Sequence, residues 1–380
     1  MNKILPFLLL AVLVFAGAGR AEDGVTATTV TIGQACALSG SAQALGTNMR
    51  AGIEAAFARV NEAGGVNGRK LVLISKDDGY EPRQSIRQTK DLIEKDKVFA
   101  LIGGVGTPTA QAVVPIAEKA KIPFVGPFTG AEFLRNPFKK YVINIRGSYY
   151  QETERLAQYL VDQLGYKKIA CFYQNDGYGQ AGLSGIEIAL KKRGLELVAT
   201  GTYERNTVAV KSALLNIRKA SPQAVVMIGV YKPCAVFIKL ANIYMKGTLF
   251  ANISFVGTDS LAAELGAEGD NTIITQVVSF PNDVSVPLVK EYREALKKYQ
   301  PDFSPGFVSL EGYMVGKVFA MAAASVKGDL TRESFIRAIQ ETGSFDLGGI
   351  VLRYGPDDHQ GMDDIFLTKI EGGQIKPLGR

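Results

Sequence analysis

Residues 102–111 read IGGVGTPTAQ: three glycines in four positions, then a threonine on each side of a proline. A glycine turn lets backbone approach a ligand closely, and proline is favoured in a helix's first turn. The first amides of such a helix lack partners and carry partial positive charge, which suits an anion. The stretch is not a nucleotide loop. It has no lysine in a G-x-x-x-x-G-K-[ST] pattern, and Thr109 stands where a G-x-G-x-x-G fingerprint beginning at Gly104 and Gly106 needs its third glycine. A small carboxylate held by amides and the Thr107 hydroxyl fits; so does a plain turn in which Thr107 only caps the helix.

Catalytic alternatives are poor. The single histidine, His359, lies in the turn GPDDHQGMDD, where it reads as a solvated residue. That argues against Ser-His-Asp triads, Cys-His pairs and histidine zinc sites. Asp357, Asp358, Asp363 and Asp364 are acidic enough to attract calcium but lack the EF-hand spacing. No cofactor is expected. Cys36, Cys171 and Cys234 form no zinc pattern. They read as buried thiols, with a Cys171–Cys234 bridge as the alternative.

The elements that must position these residues follow a regular beat. Leu45, Met49, Ile53, Phe57 and Val60 share one helical face. Nearly continuous apolar runs such as VFALIGGV and AVVMIGVY alternate with helices, as in parallel sheets covered on both faces. Two such series argue for an α/β protein of two doubly wound parallel-sheet lobes. An echo between LIGGVGTPTAQ…IPFVGPFTG and MIGVYKPCAVF…ISFVGTDSL suggests that the second series repeats the first. Helices follow over about 287–299, 307–327 and 331–341, and then a closing hairpin.

Length, 380 residues, suits two domains, and 47% hydrophobic residues suit a large core. Lys3, an apolar run from Ile4 to about Ala18, and Gly19 and Ala21 read as a signal peptide over 1–21. The remaining chain is only mildly basic with interspersed charges, so nucleic acid is not the expected partner.

In open α/β sheets, ligands collect at the carboxyl ends of strands. The loops there are SGSAQALG, GGVGTPT, PFTGAE, QNDGYGQ, GVYKPC and GTDSL. Hydroxyls and amides on one lobe, with tyrosines and Asp259 on the other, complement a zwitterion.

With these loops, and with ALSGSAQALG, GRKLVLISKDDGYEP, GGVGTPTAQAVVPIAEKAKIPFVGP and QNDGYGQAGLSG in order, the chain resembles the periplasmic branched-chain amino-acid-binding proteins, receptors of ABC importers with the type I periplasmic fold. The resemblance implies three crossovers, near 146–147, 280 and 348. One lobe would hold 28–146 and 281–348, the other 147–280 and 349–380. It also implies hinge closure on a ligand, delivery to an ABC transporter permease of the inner membrane, a periplasmic location and a monomer.

By the same resemblance, Thr107 and the Thr129-Gly130 loop hold the ligand carboxylate, beside Gly106. Tyr178 and Tyr231 line the second lobe, and Asp259 pairs with the ammonium or else caps its own helix. Phe307 is a pocket wall or a core aromatic. Leu45 replaces an aromatic wall residue, the Thr129-Gly130 order is shifted, and Tyr80 and Gly106 replace a disulfide pair. The resemblance makes an aliphatic amino acid the leading ligand. Another carboxylate or amide, such as an aromatic acid, is the alternative, as is a soluble sensing co-receptor.

Overall fold

The computed structural model describes residues 22–378; the expected signal peptide lies outside the described residues. The first sheet contains β1 (Thr29–Cys36), β2 (Lys70–Asp77), β3 (Ala100–Ile102), β4 (Phe124–Val125) and β5 (Val142–Ile143), all parallel, in the order β2-β1-β3-β4-β5. Its crossover helices are α1 (Gln43–Glu62), α2 (Pro82–Glu94) and α3 (Thr107–Ala120).

After α4 (Tyr149–Ala157) the pattern repeats with β6 (Ile169–Gln174), α5 (Gly177–Lys191), β7 (Ala199–Tyr203), α6 (Lys211–Lys219), β8 (Ala224–Ile228), α7 (Tyr231–Tyr244), β9 (Leu249–Asn252), α8 (Thr258–Leu265) and β10 (Thr272–Gln276). The order β7-β6-β8-β9-β10 is the same doubly wound order. Central strands such as β8 are buried along their whole length because helices cover both faces.

The chain then returns through α9 (Pro287–Tyr299), α10 (Phe307–Ser325) and α11 (Arg332–Thr342), a short hairpin β11 (Ser344–Asp346) and β12 (Val351–Arg353), and finally β13 (Phe366–Glu371) and β14 (Gln374–Pro377). β13 pairs antiparallel with β10, and β14 with β13, extending the second sheet to seven strands.

Helix α10 is apolar nearly all round because it is the central helix of the first lobe. It meets α1 with backbones in contact. A Cβ on Gly52 would lie 2.0 Å from the Ser309 carbonyl oxygen, and one on Gly312 2.3 Å from that of Met49.

Three expectations need correction. The run ISFVG is not a strand: β9 ends at Asn252, residues 254–256 form a 3-10 turn, and Gly257 reverses the chain at φ +81°. The repeat's FVG echo therefore does not hold in three dimensions, since Phe124 is in a strand and Phe255 in that turn. The third crossover lies beyond 348. Asn144 bridges Gln360, its amide donates to the His359 carbonyl at 2.8 Å, and its own carbonyl accepts from Gly361 at 2.9 Å, so 349–361 stays with the first sheet.

His359 is buried rather than solvated. Its Nδ1 lies 3.1 Å from the Val142 carbonyl, its Nε2 3.1 Å from the Gln340 amide nitrogen, and Phe138 packs on its ring. The three cysteines are free and buried, as the sequence reading expects, and the alternative Cys171–Cys234 bridge does not form.

Candidate functional site

The strand order reverses between β1 and β3 in the first sheet and between β6 and β8 in the second. Loops leaving those strands splay apart, and their helices begin at the resulting crevice. Thr107 opens α3, Gly177-Tyr178 open α5, and Tyr231 opens α7. Asp176 fixes the α5 start by accepting the Tyr178 amide at 3.0 Å. Gly106, at φ +107°, turns the chain into α3 under the ring of Tyr80; an added Cβ would lie 2.2 Å from that ring. The volume a disulfide would take between 80 and 106 belongs here to a tyrosine.

Most of the expected residues meet. The hydroxyls of Thr107 and Thr129 are 2.6 Å apart, both buried. The Gly130 carbonyl accepts the Tyr149 amide at 2.7 Å, and the Tyr149 ring lies flat enough on Gly130 that a Cβ would sit 2.6 Å from it. Tyr178 packs on Tyr149 and Phe255, with centroids 5.6 and 4.5 Å away. Leu45 of the first lobe reaches Gly257 and the neighbourhood of Tyr231 in the second.

Asp259 does not cap its own helix as one expectation had it. It is the second residue of α8 but caps another helix, accepting the Phe307 amide at the start of α10 at 2.9 Å. Burial raises its carboxyl to about 6, with that amide pulling the other way. Phe307 itself is buried, edge-on to Phe280 at 5.7 Å, and borders a hollow of about 570 Å³ beside the crossovers.

The sequence reading missed the residues that fill the crevice. Phe128 meets Phe255 across the lobes at 5.3 Å, and Tyr80 meets the same ring at 6.2 Å. Arg146 binds Glu311 through Nε and Nη2, both at 2.8 Å, and stacks 4.3 Å above Phe128. Glu152 accepts from the Ser254 amide at 2.7 Å, the Ser254 hydroxyl at 3.0 Å and Thr275 at 2.5 Å. Burial raises its carboxyl, and Arg146 opposes that rise. Arg146 was signalled only by a lone cation ending NIR. Tyr149 sits one place after Ser148, whose capping box with Gln151 is legible as S-x-x-Q.

The chain from 29 to 374 matches the family model described as periplasmic binding protein. This chain belongs to that family. Among relatives of this periplasmic binding protein, the Leu/Ile/Val-binding protein homolog 7 of Brucella abortus (strain 2308) is 27% identical over 343 residues, covering 86% of this chain and 84% of its own. A solved structure of a possible leucine/isoleucine/valine-binding protein from Rhodopirellula baltica SH 1 is 38% identical with TM-score 0.89, covering 95% of this chain and 98% of that one. A substrate-binding periplasmic protein from Ralstonia solanacearum is 26% identical with TM-score 0.87, covering 92% and 100%. The periplasmic binding protein is thus a receptor with the type I fold, not an enzyme.

A clasp at the cleft rim holds its lobes together. Arg205 bridges Asp176 and Glu81, each at 3.0 Å. Asn206 donates to Glu81 at 2.6 Å and accepts from Ser41 at 2.6 Å, while Gln174 donates to the Tyr80 hydroxyl at 3.1 Å. Thr107, Thr129, Tyr178 and Phe255 are all fully buried behind it.

Proposed function

We propose that this protein captures a small aliphatic amino acid between its lobes and hands it to the permease of an ABC importer, acting as a monomer exported to the periplasm behind a cleaved leader. The observation that carries this reading is the pairing of opposite ends across one crevice. The Thr107 hydroxyl at the start of α3 lies 2.6 Å from that of Thr129 in the loop after β4, and Asp259 is a half-buried carboxylate that forms no ion pair among the described residues. The first suits a carboxylate and the second an ammonium. The names of the Brucella and Rhodopirellula relatives point to leucine, isoleucine and valine.

Entry requires the clasp to open and the rings to part. Contacts with both lobes then favour closure, since only differential affinity shifts the balance between open and closed states. The proposed ligand contacts are Thr107, Thr129, Gly130, Tyr178, Tyr231 and Asp259, with Leu45 and Phe307 as apolar walls. Gly106, covered by Tyr80, serves the turn.

A second reading rests on one observation: Asp259 already serves the α10 amide, and the crevice is lined by Tyr80, Phe128, Tyr149, Tyr178 and Phe255. That lining suits an aromatic acid or amide lacking an ammonium. Isothermal titration with leucine, isoleucine, valine and benzoate separates the two. Leucine-class binding should fall about 30-fold or more in Asp259→Ala, as expected when one partner of a buried ion pair is removed. Retained affinity in that variant, or binding of benzoate alone, overturns the amino-acid reading.

A further inference from the structure

Among the described residues, two buried polar groups in the crevice have no hydrogen-bond partner in good geometry: Nη1 of Arg146, and the hydroxyl of Tyr149, which only the Thr107 and Thr129 hydroxyls approach. Buried donors of this kind are rare, and each costs free energy unless something accepts from it. Both belong to fully buried side chains on the segment that leaves β5 for the second lobe.

Their surroundings say what would accept. Glu311 takes Nε and Nη2 of Arg146 in a fork, leaving Nη1 as the free edge of the guanidinium. The remaining charges facing that cation are Glu152, engaged by Ser254 and Thr275, and Arg135, whose Nη2 donates to the Arg146 carbonyl at 2.8 Å. Tyr149 lies along Gly130, and burial raises the pKa of its phenol to about 12, against the opposing pull of Arg146 and of the Thr129 and Thr107 hydroxyls that face it. The Thr107–Thr129 pair and the α3 start complete the corner. Arg146 Nη1 and the Tyr149 hydroxyl can each donate, and a planar oxyanion can accept from several donors at once.

We propose that Arg146 and Tyr149 are ligand-recognising residues: the free Nη1–H edge of Arg146 and the phenol of Tyr149 donate, beside Thr107, to the carboxylate of the captured molecule. This rests on the reading that the crevice is the ligand site, but it adds two residues and makes the carboxylate, not the side chain, the group the hinge segment senses. Because both residues lie at the crossover from first sheet to second, binding there ties ligand capture directly to the hinge.

Titration calorimetry of the full mature protein tests it with four probes: leucine, leucinamide, 4-methylpentanoate and 4-methylpentanamide. Tyr149→Phe removes one oxygen and should weaken leucine about tenfold or more, the usual loss for a hydrogen bond to a charged group. Leucinamide affinity should change little, so acid-over-amide selectivity falls. The ligand-free melting temperature should hold or rise, because an unpaired buried hydroxyl has gone. Arg146→Lys, which keeps a cation for Glu311, should lose the same selectivity.

Unchanged leucine affinity in Tyr149→Phe overturns the proposal while leaving amino-acid capture standing. Equal losses for acid and amide also overturn it, since they mark a structural role. If the unsubstituted protein ignores leucine but binds 4-methylpentanoate in a Tyr149-dependent way, the amino-acid reading fails and the carboxylate corner stands. Binding none of the acids overturns both.

Discussion

At the scale of single residues, the crevice is a balance of buried charges, each of which needs its partner. Arg146 and Glu311 are 1% and 2% exposed and joined by two hydrogen bonds. Such a pair contributes little over an apolar replacement, yet breaking it from one side strands the other charge. Glu311→Gln should therefore cost about 3–5 kcal/mol of stability, read as a lowered midpoint in urea unfolding. A midpoint within error of the unsubstituted protein would mean that Glu152 takes over the cation. Sequence alone showed the polar half of this site better than the aromatic half. Thr107, Thr129, Tyr178 and Asp259 stand at strand ends, where loop composition marks them. Tyr80, Phe128 and Phe255 look like ordinary core residues until the two lobes meet, because what makes them special is a contact between distant segments.

Elements were more legible than sites. The helices expected near 287–299, 307–327 and 331–341 are α9, α10 and α11 to within a few residues. Their periodicity and capping are local properties, and local properties survive in sequence. The error at ISFVG has the opposite origin. An apolar run reads as a strand, but the register β9 shares with β8 and β10 places 249–252 in the sheet, and the left-handed Gly257 turns Phe255 toward the crevice. The run GGIVLRYG reads as strand-like and holds β12, but its three-residue partner β11 does not stand out in sequence, and their Gly348-Gly349 turn is held by the Asp346 side chain. The contact between α1 and α10 carries its own expectation. Gly52→Ala must push backbone from backbone and should cost at least about 1–3 kcal/mol, measured by chemical denaturation. A neutral result would show that the two helices can slide apart freely.

For the whole molecule, the proposed closure should couple to protons through Asp259. With the lobes together its carboxyl titrates at about 6, against 3.8 when unperturbed. The closed form therefore binds the proton more tightly than an open form that exposes the group. Above about pH 6 the carboxylate is ionised in both forms, and closure without a ligand bears the full cost of burying it. As pH falls from 6 toward 4 the closed form takes up a proton and that cost is lifted. Small-angle scattering of ligand-free protein should thus show a smaller radius of gyration at about pH 5 than at about pH 7. Asp259→Asn should remove the dependence while keeping an oxygen for the Phe307 amide. A radius that does not move with pH, or moves equally in the variant, would assign the coupling elsewhere. A ligand ammonium would relieve the same cost at neutral pH.

Tyr80, Tyr149 and Tyr178 pack in the crevice between the lobes, and the chain contains no tryptophan. The near-ultraviolet spectrum is consequently a tyrosine spectrum, undiluted by a stronger chromophore. In the proposed opening three of its rings would pass from protein interior to water, and the absorption of a phenol shifts with the polarity around it. The hinge therefore carries its own optical gauge, and opening and closing can be timed by rapid mixing on the unmodified chain without attaching a dye.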